Sequence, residues 1–240
     1  MQLRRSLNRT RGAGLWRLTT VAALLAAAVL TPATDAAAAR HPAPAAGHPA
    51  GGKATVLRGG DPIYSAGRVC TLSFNATSGS ADYAIVPGTC TAGADTWYAD
   101  AAMTVPFGST EGSSFPGNGY GLIRYTNPAV AHPGEISTGG GGTAVITGAA
   151  DPAVGQSVCH VGRVSGLQCG TVLAVDLSVS FPEGTVSGLF SSNAHSEPGD
   201  VGGPAFSGGT ALGLIVGSGG GSTYYQPITE VLSAYGLTLP

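Results

Sequence analysis

The fold class predicted by this 240-residue sequence is all-β, built of antiparallel strands and closed by a short C-terminal helix. Three observations carry the prediction. Glycine accounts for 39 residues and charged side chains for only 10%, as expected of many short strands joined by tight turns. Short β-branched or alternating runs recur between clusters of Gly, Pro, Asn and Ser, the pattern of half-buried strands. The four cysteines form an even set behind an export signal, which fits two disulfides.

Taken in order, residues 1–39 read as a signal peptide. Arg4, Arg5, Arg9, Arg11 and Arg17 precede the apolar run 21–30, and small residues follow through Ala39. That run is short for a membrane span. No other apolar stretch is long enough, so the expected product is secreted, extracellular and free of a membrane anchor after cleavage. Residues 40–56 form an Ala/Pro/Gly linker, in which His41 and His48 read as inert rather than as metal ligands. Strands are predicted at 69–74, 83–86, 103–107 and 120–125, and again at 157–161, 170–179, 185–190, 211–216 and 223–226. Leu173, Val175, Leu177 and Val179 alternate with smaller or polar residues, which predicts that this face points inward. Residues 133–153, with the run Gly139-Gly140-Gly141-Gly142, read as a crossing between two halves, 57–145 and 146–240. Ile228, Val231, Leu232 and Tyr235 fall at helical spacing before Gly236, a short terminal helix with its stop.

Charge narrows the partners. Residues 40–240 carry six Lys/Arg against twelve Asp/Glu, a formal charge of −6. Nucleic acid and anionic lipid, both met by clustered Lys and Arg, are excluded on that ground. No Cys, His or carboxylate cluster has metal-ligand spacing, so no metal and no cofactor is expected. Asn75-Ala76-Thr77 matches a glycosylation acceptor and is discounted.

Several segments carry a resemblance. Glu197-Pro198-Gly199-Asp200-Val201-Gly202-Gly203-Pro204 resembles the nucleophile loop of chymotrypsin-type serine proteases. Ala84-Ile85-Val86-Pro87-Gly88-Thr89-Cys90 resembles the segment that bears the general-base histidine. Gly117-Asn118-Gly119-Tyr120-Gly121-Leu122 is similar to the segment bearing the orienting aspartate. Gly60-Asp61-Pro62-Ile63-Tyr64-Ser65, the stretch Cys159 to Gly170 and Tyr224-Tyr225-Gln226-Pro227-Ile228 extend the match in family order. The chain is thereby identified as a member of the streptogrisin and alpha-lytic branch from actinobacteria.

The resemblance implies two six-stranded antiparallel β-barrels with a site in their seam. It also implies disulfides Cys70–Cys90 and Cys159–Cys169, each contributing about 2 to 4 kcal/mol. A third family disulfide is missing: His195 stands at its first position and 217–222 supplies no partner. At the places of the catalytic histidine, aspartate and serine the chain has Thr89, Gly119 and Val201. Peptide hydrolysis by this route needs a hydroxyl, an imidazole and a carboxylate acting as a unit. The expectation is therefore a monomeric, non-hydrolysing relative that binds an extracellular peptide or protein through Gly199, Val201, Val216 and Gly217. Gly199 and Val201 would offer paired amides, and the strand through Val216 and Gly217 an edge for an extended peptide. The alternative is a serine-type endopeptidase with a relocated or residual site, for which His195 and Ser196 are the nearby groups. Val201 and Val216 are expected to meet across the emptied site. His160, where active bacterial relatives carry an arginine, is expected either to pair with Asp200 and have its pKa raised, or to be buried and neutral.

Overall fold

The computed structural model of the protein describes residues 54–240. The predicted signal peptide and most of the predicted linker, with His41 and His48, lie outside the described residues. Two of the last linker positions form β1 (Thr55–Val56), which pairs in parallel with β9 (Val130–Ala131), so the linker ends earlier than its composition indicates.

The first barrel holds β2 (Pro62–Ser65), β3 (Arg68–Thr71), β4 (Phe74–Ser78), β5 (Ala81–Pro87), the one-turn helix α1 (Gly88–Thr91), β6 (Thr96–Tyr98), β7 (Pro106–Ser114) and β8 (Tyr120–Tyr125). Its strand order is β3-β2-β6-β7-β8-β5-β4. Because β3 and β4 are one stretch interrupted only at Leu72 and Ser73, the seven segments close as six strands. Trp97, Phe107, Ile63, Leu72 and Ile123 fill the interior. Trp97 remains satisfied because its indole N–H donates to Thr110 Oγ1 at 2.9 Å.

The second barrel follows β10 (Glu135–Gly139), β11 (Gly142–Val145) and β12 (Gly148–Ala149). It holds β13 (Ser157–Gly162), β14 (Gly166–Phe181), β15 (Gly184–Ser192), β16 (Pro204–Ser207), β17 (Thr210–Gly219) and β18 (Ser222–Pro227), and α2 (Ile228–Tyr235) ends it. The order β17-β16-β13-β14-β15-β18 returns on itself through a β17–β18 pairing, with β12 added at β17. Val158, Val172, Phe190, Leu212, Ile215 and Tyr225 form its core. Helix α2 stops at Gly236, whose left-handed backbone (φ 61°) lets its N–H reach the Leu232 and Ser233 carbonyls.

A third apolar cluster joins the barrels: Phe74, Ile85, Tyr120 and Leu122 from the first meet Val161, Phe206, Leu214, Ile228 and Val231 from the second. Buried hydrogen bonds cross the same seam, from Ser73 Oγ to the Gly202 carbonyl at 2.7 Å and from Gly119 N to Gln226 Oε1 at 2.8 Å. The loops on either side of the seam are thus held in a fixed relation.

Local departures from the sequence reading have physical causes. The strand expected at 103–107 begins only at Pro106, because Met103 sits in a turn with φ 54°. The crossing 133–153 is not a plain loop, since β10 and β11 pair as a hairpin turning at Gly140 and Gly141. The alternating face of β14 is inward only in part: Leu173 and Val175 are 47% and 41% exposed, while Leu177 and Val179 are half-buried between exposed Ser178 and Ser180. Register shifts between Val172 and Val179, with Asp176 at φ 57°, break the simple alternation, and each extra residue exchanges the faces of the strand. Asn75 cannot accept a glycan in the folded protein, because its buried amide donates to the Leu57 and Pro133 carbonyls.

Candidate functional site

The site is assembled from three chain segments at the barrel seam. Thr89 lies in α1, which leaves β5 after Pro87 and is tied to β3 by the Cys70–Cys90 disulfide. The turn is packed closely, for a β-carbon on Gly88 would overlap Phe115 and the Tyr120 carbonyl. Thr89 itself is exposed. Gly119 is buried at the entry of β8, with its amide capped by Gln226. Val201 lies in the loop between β15 and β16, half-buried.

Asp200 fixes that loop. Its buried carboxylate accepts from Glu197 N and Val164 N at 2.7 Å and from Ser165 N at 3.1 Å. Burial alone would raise its pKa, but these amides, with the Ser165 side chain beside them, overcome that effect and hold it below the usual carboxylate range. Gly202 N and Gly203 N close the turn onto the Ile215 and Asp200 carbonyls. Gly199 stands at φ 105°, and a β-carbon there would press on Arg163 and Val164, so only glycine fits. Among the described residues neither Gly199 N nor Val201 N has an acceptor.

Two cavities flank the loop. One, of about 230 Å³, is lined by Arg68, Val69, Thr89, Arg163, Gly199 and Val201, together with Cys70, Thr71 and Cys90. It brings two of the three triad-equivalent positions onto one wall. The other, of about 290 Å³, lies beyond Ala194 and is lined by Asn193, His195, Ser196, Ser218, Ser222 and Thr223, with Gly219 and Gly221. Hydroxyl groups dominate its wall where the family disulfide is lacking.

The remaining predicted positions are corrected or refined. The Val216 Cγ1 occupies the space in which a Gly119 side chain would begin. Gly217 is covered by the Phe181 ring, which a β-carbon would strike. His160 does not pair with Asp200. Its ring is 0% exposed, and Nδ1 meets the Tyr225 hydroxyl at 2.7 Å, which in turn reaches Ser192 Oγ at 2.8 Å. Asp200 is already occupied by backbone amides and contributes only a secondary attraction. Burial dominates and lowers the His160 pKa, and the nearby His195 carbonyl and Asp200 offset this in part. His160 Nε2 forms no hydrogen bond of acceptable geometry. His195 and Ser196 are likewise not joined to each other: His195 Nε2 contacts Glu197 Oε1 at 2.6 Å, and Ser196 Oγ accepts from Thr223 Oγ1 at 2.9 Å.

Sequence reading missed Arg68, Arg163 and Gln226, and of the hydroxyl-bearing residues of the second cavity it singled out Ser196 but not Ser218, Ser222 or Thr223. Arg163 follows Gly162 in the hairpin turn, and nothing in its local sequence indicates that Asp200 draws this turn against the loop bearing Val201.

The disulfides are Cys70–Cys90 and Cys159–Cys169, the latter between opposed residues of β13 and β14. Comparison with known proteins then decides the ancestry. The chain is 39% identical over 186 residues to glutamyl endopeptidase 2 of Streptomyces griseus, a match covering 75% of this chain and 98% of that protein. It belongs to the streptogrisin and alpha-lytic family of chymotrypsin-type serine proteases. The solved structure of alpha-lytic protease homolog N4 is 54% identical, with a TM-score of 0.73, over 78% of this chain and all of the other. Streptogrisin-D of Streptomyces griseus is 42% identical over 187 residues, 75% of this chain and 47% of its own length. The chain spans 47% and 61% of the length of streptogrisins D and A. No family model matches the chain.

Proposed function

We propose that this member of the streptogrisin family is a secreted, non-hydrolysing protein that binds an extended extracellular peptide in the barrel seam. The observation that carries the reading is the content of the three triad-equivalent positions: Thr89, Gly119 and Val201 supply no imidazole, no carboxylate and no nucleophile. Losing triad members costs about 10^4 to 10^6 in rate, because the groups act together. Val216 and Gln226 add support, since they occupy the ground beside Gly119 where a carboxylate would stand. The vacancy has been refilled with packing rather than left open for chemistry.

The loop that frames the old chemistry is nevertheless retained. Asp200 still fixes it, and the amides of Gly199 and Val201 have no partner within the protein. Such paired N–H groups donate to a carbonyl or carboxylate oxygen. Beyond Ile215, strand β17 is paired with β18 on one side only, and an extended peptide adds to an edge of this kind. Phe181 against Gly217 gives that edge an apolar flank, and the hydroxyl-lined cavity gives it a polar side-chain receptor. A relocated hydrolase would require Ser196 activated by His195, and each is bonded elsewhere. The two disulfides suit an oxidising, extracellular setting. Among the described residues no helix is long and apolar enough to cross a membrane. We take the protein to act as a monomer without cofactor.

Incubation of the purified protein with casein, followed by mass spectrometry of the products, tests this reading. Casein recovered whole after prolonged incubation is the expected result. Fragments that accumulate in proportion to protein concentration, and that co-purify with it through two different columns, would establish hydrolysis instead.

A further inference from the structure

The cavity shared by Thr89 and Val201 has an unusual charge for this molecule. The described residues contain twelve Asp/Glu and only four Lys/Arg. Two of the four are neutralised locally, Arg58 against Glu135 and Arg124 at 3.7 Å from Glu111. The other two, Arg68 and Arg163, have no carboxylate partner, and both line this one cavity, whose lining contains no acidic residue. The Asp200 carboxylate of the same loop is buried and is taken up by the Glu197, Val164 and Ser165 amides rather than by either guanidinium.

The fold holds the Arg68 guanidinium directly and brings the exposed Arg163 side chain to the Gly199 loop. Arg68 donates through Nη1 to the Thr89 and Cys90 carbonyls, which anchors it to the disulfide-linked turn. Arg163 sits in the hairpin turn that Asp200 grips through Val164 N and Ser165 N, and its Nη2 lies 3.0 Å from where a β-carbon of Gly199 would be. The unpartnered Gly199 and Val201 amides belong to the same wall. Two cationic residues and two with unpartnered backbone amides therefore line one concave space, a combination that matches a planar anion. The valine side chain at 201 leaves this donor set intact and adds no group that would react.

We infer that this cavity is a carboxylate receptor, taking the carboxylate of a bound peptide between the Gly199 and Val201 amides and the Arg68 and Arg163 guanidinium groups. The inference rests on the peptide-binding reading above and specifies what the peptide must carry. Both a chain terminus and an acidic side chain present the required group, and the test separates them.

Binding to the full-length protein is measured by calorimetry for three probes: N-acetyl tetra-alanine with a free carboxylate, the same peptide as its C-terminal amide, and an amidated tetrapeptide with one aspartate among alanines. At least one acidic probe is expected to bind about tenfold or more tightly than the neutral amide. Raising the salt concentration should weaken it. Preference for the free acid identifies a chain terminus, and preference for the aspartyl peptide an internal side chain. Arg163→Gln, a change at an exposed position, should abolish the preference while circular dichroism remains native. Equal affinity for all three probes overturns the carboxylate receptor and leaves peptide binding in the seam standing. Failure of all three to bind overturns both, and a preference that survives Arg163→Gln together with Arg68→Gln overturns the arginine assignment.

Discussion

His160 shows how one side chain is decided by competition between burial and charge. The sequence places it where an ion pair with Asp200 is reasonable, yet Asp200 is saturated by three backbone amides and His160 is turned to Tyr225. Burial then sets the sign, and the imidazole pKa is lowered. Because the unfolded chain takes up this proton more readily, the stability associated with neutral His160 is complete above the unfolded value of about 6.5 and is lost as pH falls below it. Urea unfolding of wild type and His160→Gln from pH 5 to 8 checks this. The gap between them should be constant above neutrality and move against the wild type in acid, whereas an ion pair would move it the other way. The identity of the residue was legible in sequence, but its partner was not, since hydrogen bonds from backbone amides leave no compositional trace.

At the scale of elements, β8 and β17 face each other across the seam through Gly119 and Val216. Reintroducing a carboxylate as Gly119→Asp puts a β-carbon against Val216 Cγ1 and takes space beside Gln226, which caps the Gly119 amide. Overpacking of this kind costs about 1–3 kcal/mol. Thermal and urea denaturation should show Gly119→Asp destabilised and the double variant with Val216→Ser substantially recovered. Equal destabilisation of both would disprove the fit. Recovery in the double variant would establish that the two positions are coupled.

The same scale explains which elements the sequence disclosed. Strand β8 and helix α2 follow the predicted bounds, because Tyr120, Leu122 and Ile123 are buried along the strand and the terminal helix ends on a glycine in the left-handed region. Strand β14 misled because its bulges exchange faces, leaving Leu173 and Val175 outside while Leu177 and Val179 turn partly inward. Alternation reports that a strand exists. It does not report which face the bulges deliver to the core.

Across the whole molecule, two barrels meet on a continuous apolar seam and present one loop, stabilised by Asp200, between a cationic cavity and a hydroxyl-lined one. The barrels and the disulfides were legible through the family resemblance, because its motifs lie in order along the chain. The cationic cavity was not, because Arg68 and Arg163 are 95 residues apart and meet only after both barrels have closed. On the proposed reading, the cavity is a receptor lined from both halves of the chain, and Thr89, Gly119 and Val201 supply no imidazole, carboxylate or hydroxyl nucleophile at the triad positions. Exposure of the purified native protein to an organophosphonate probe for activated serine, followed by intact-mass spectrometry, tests that claim most directly. The account predicts an unmodified mass at every probe concentration that saturates an active family member, and a stoichiometric covalent adduct on the native chain would contradict it.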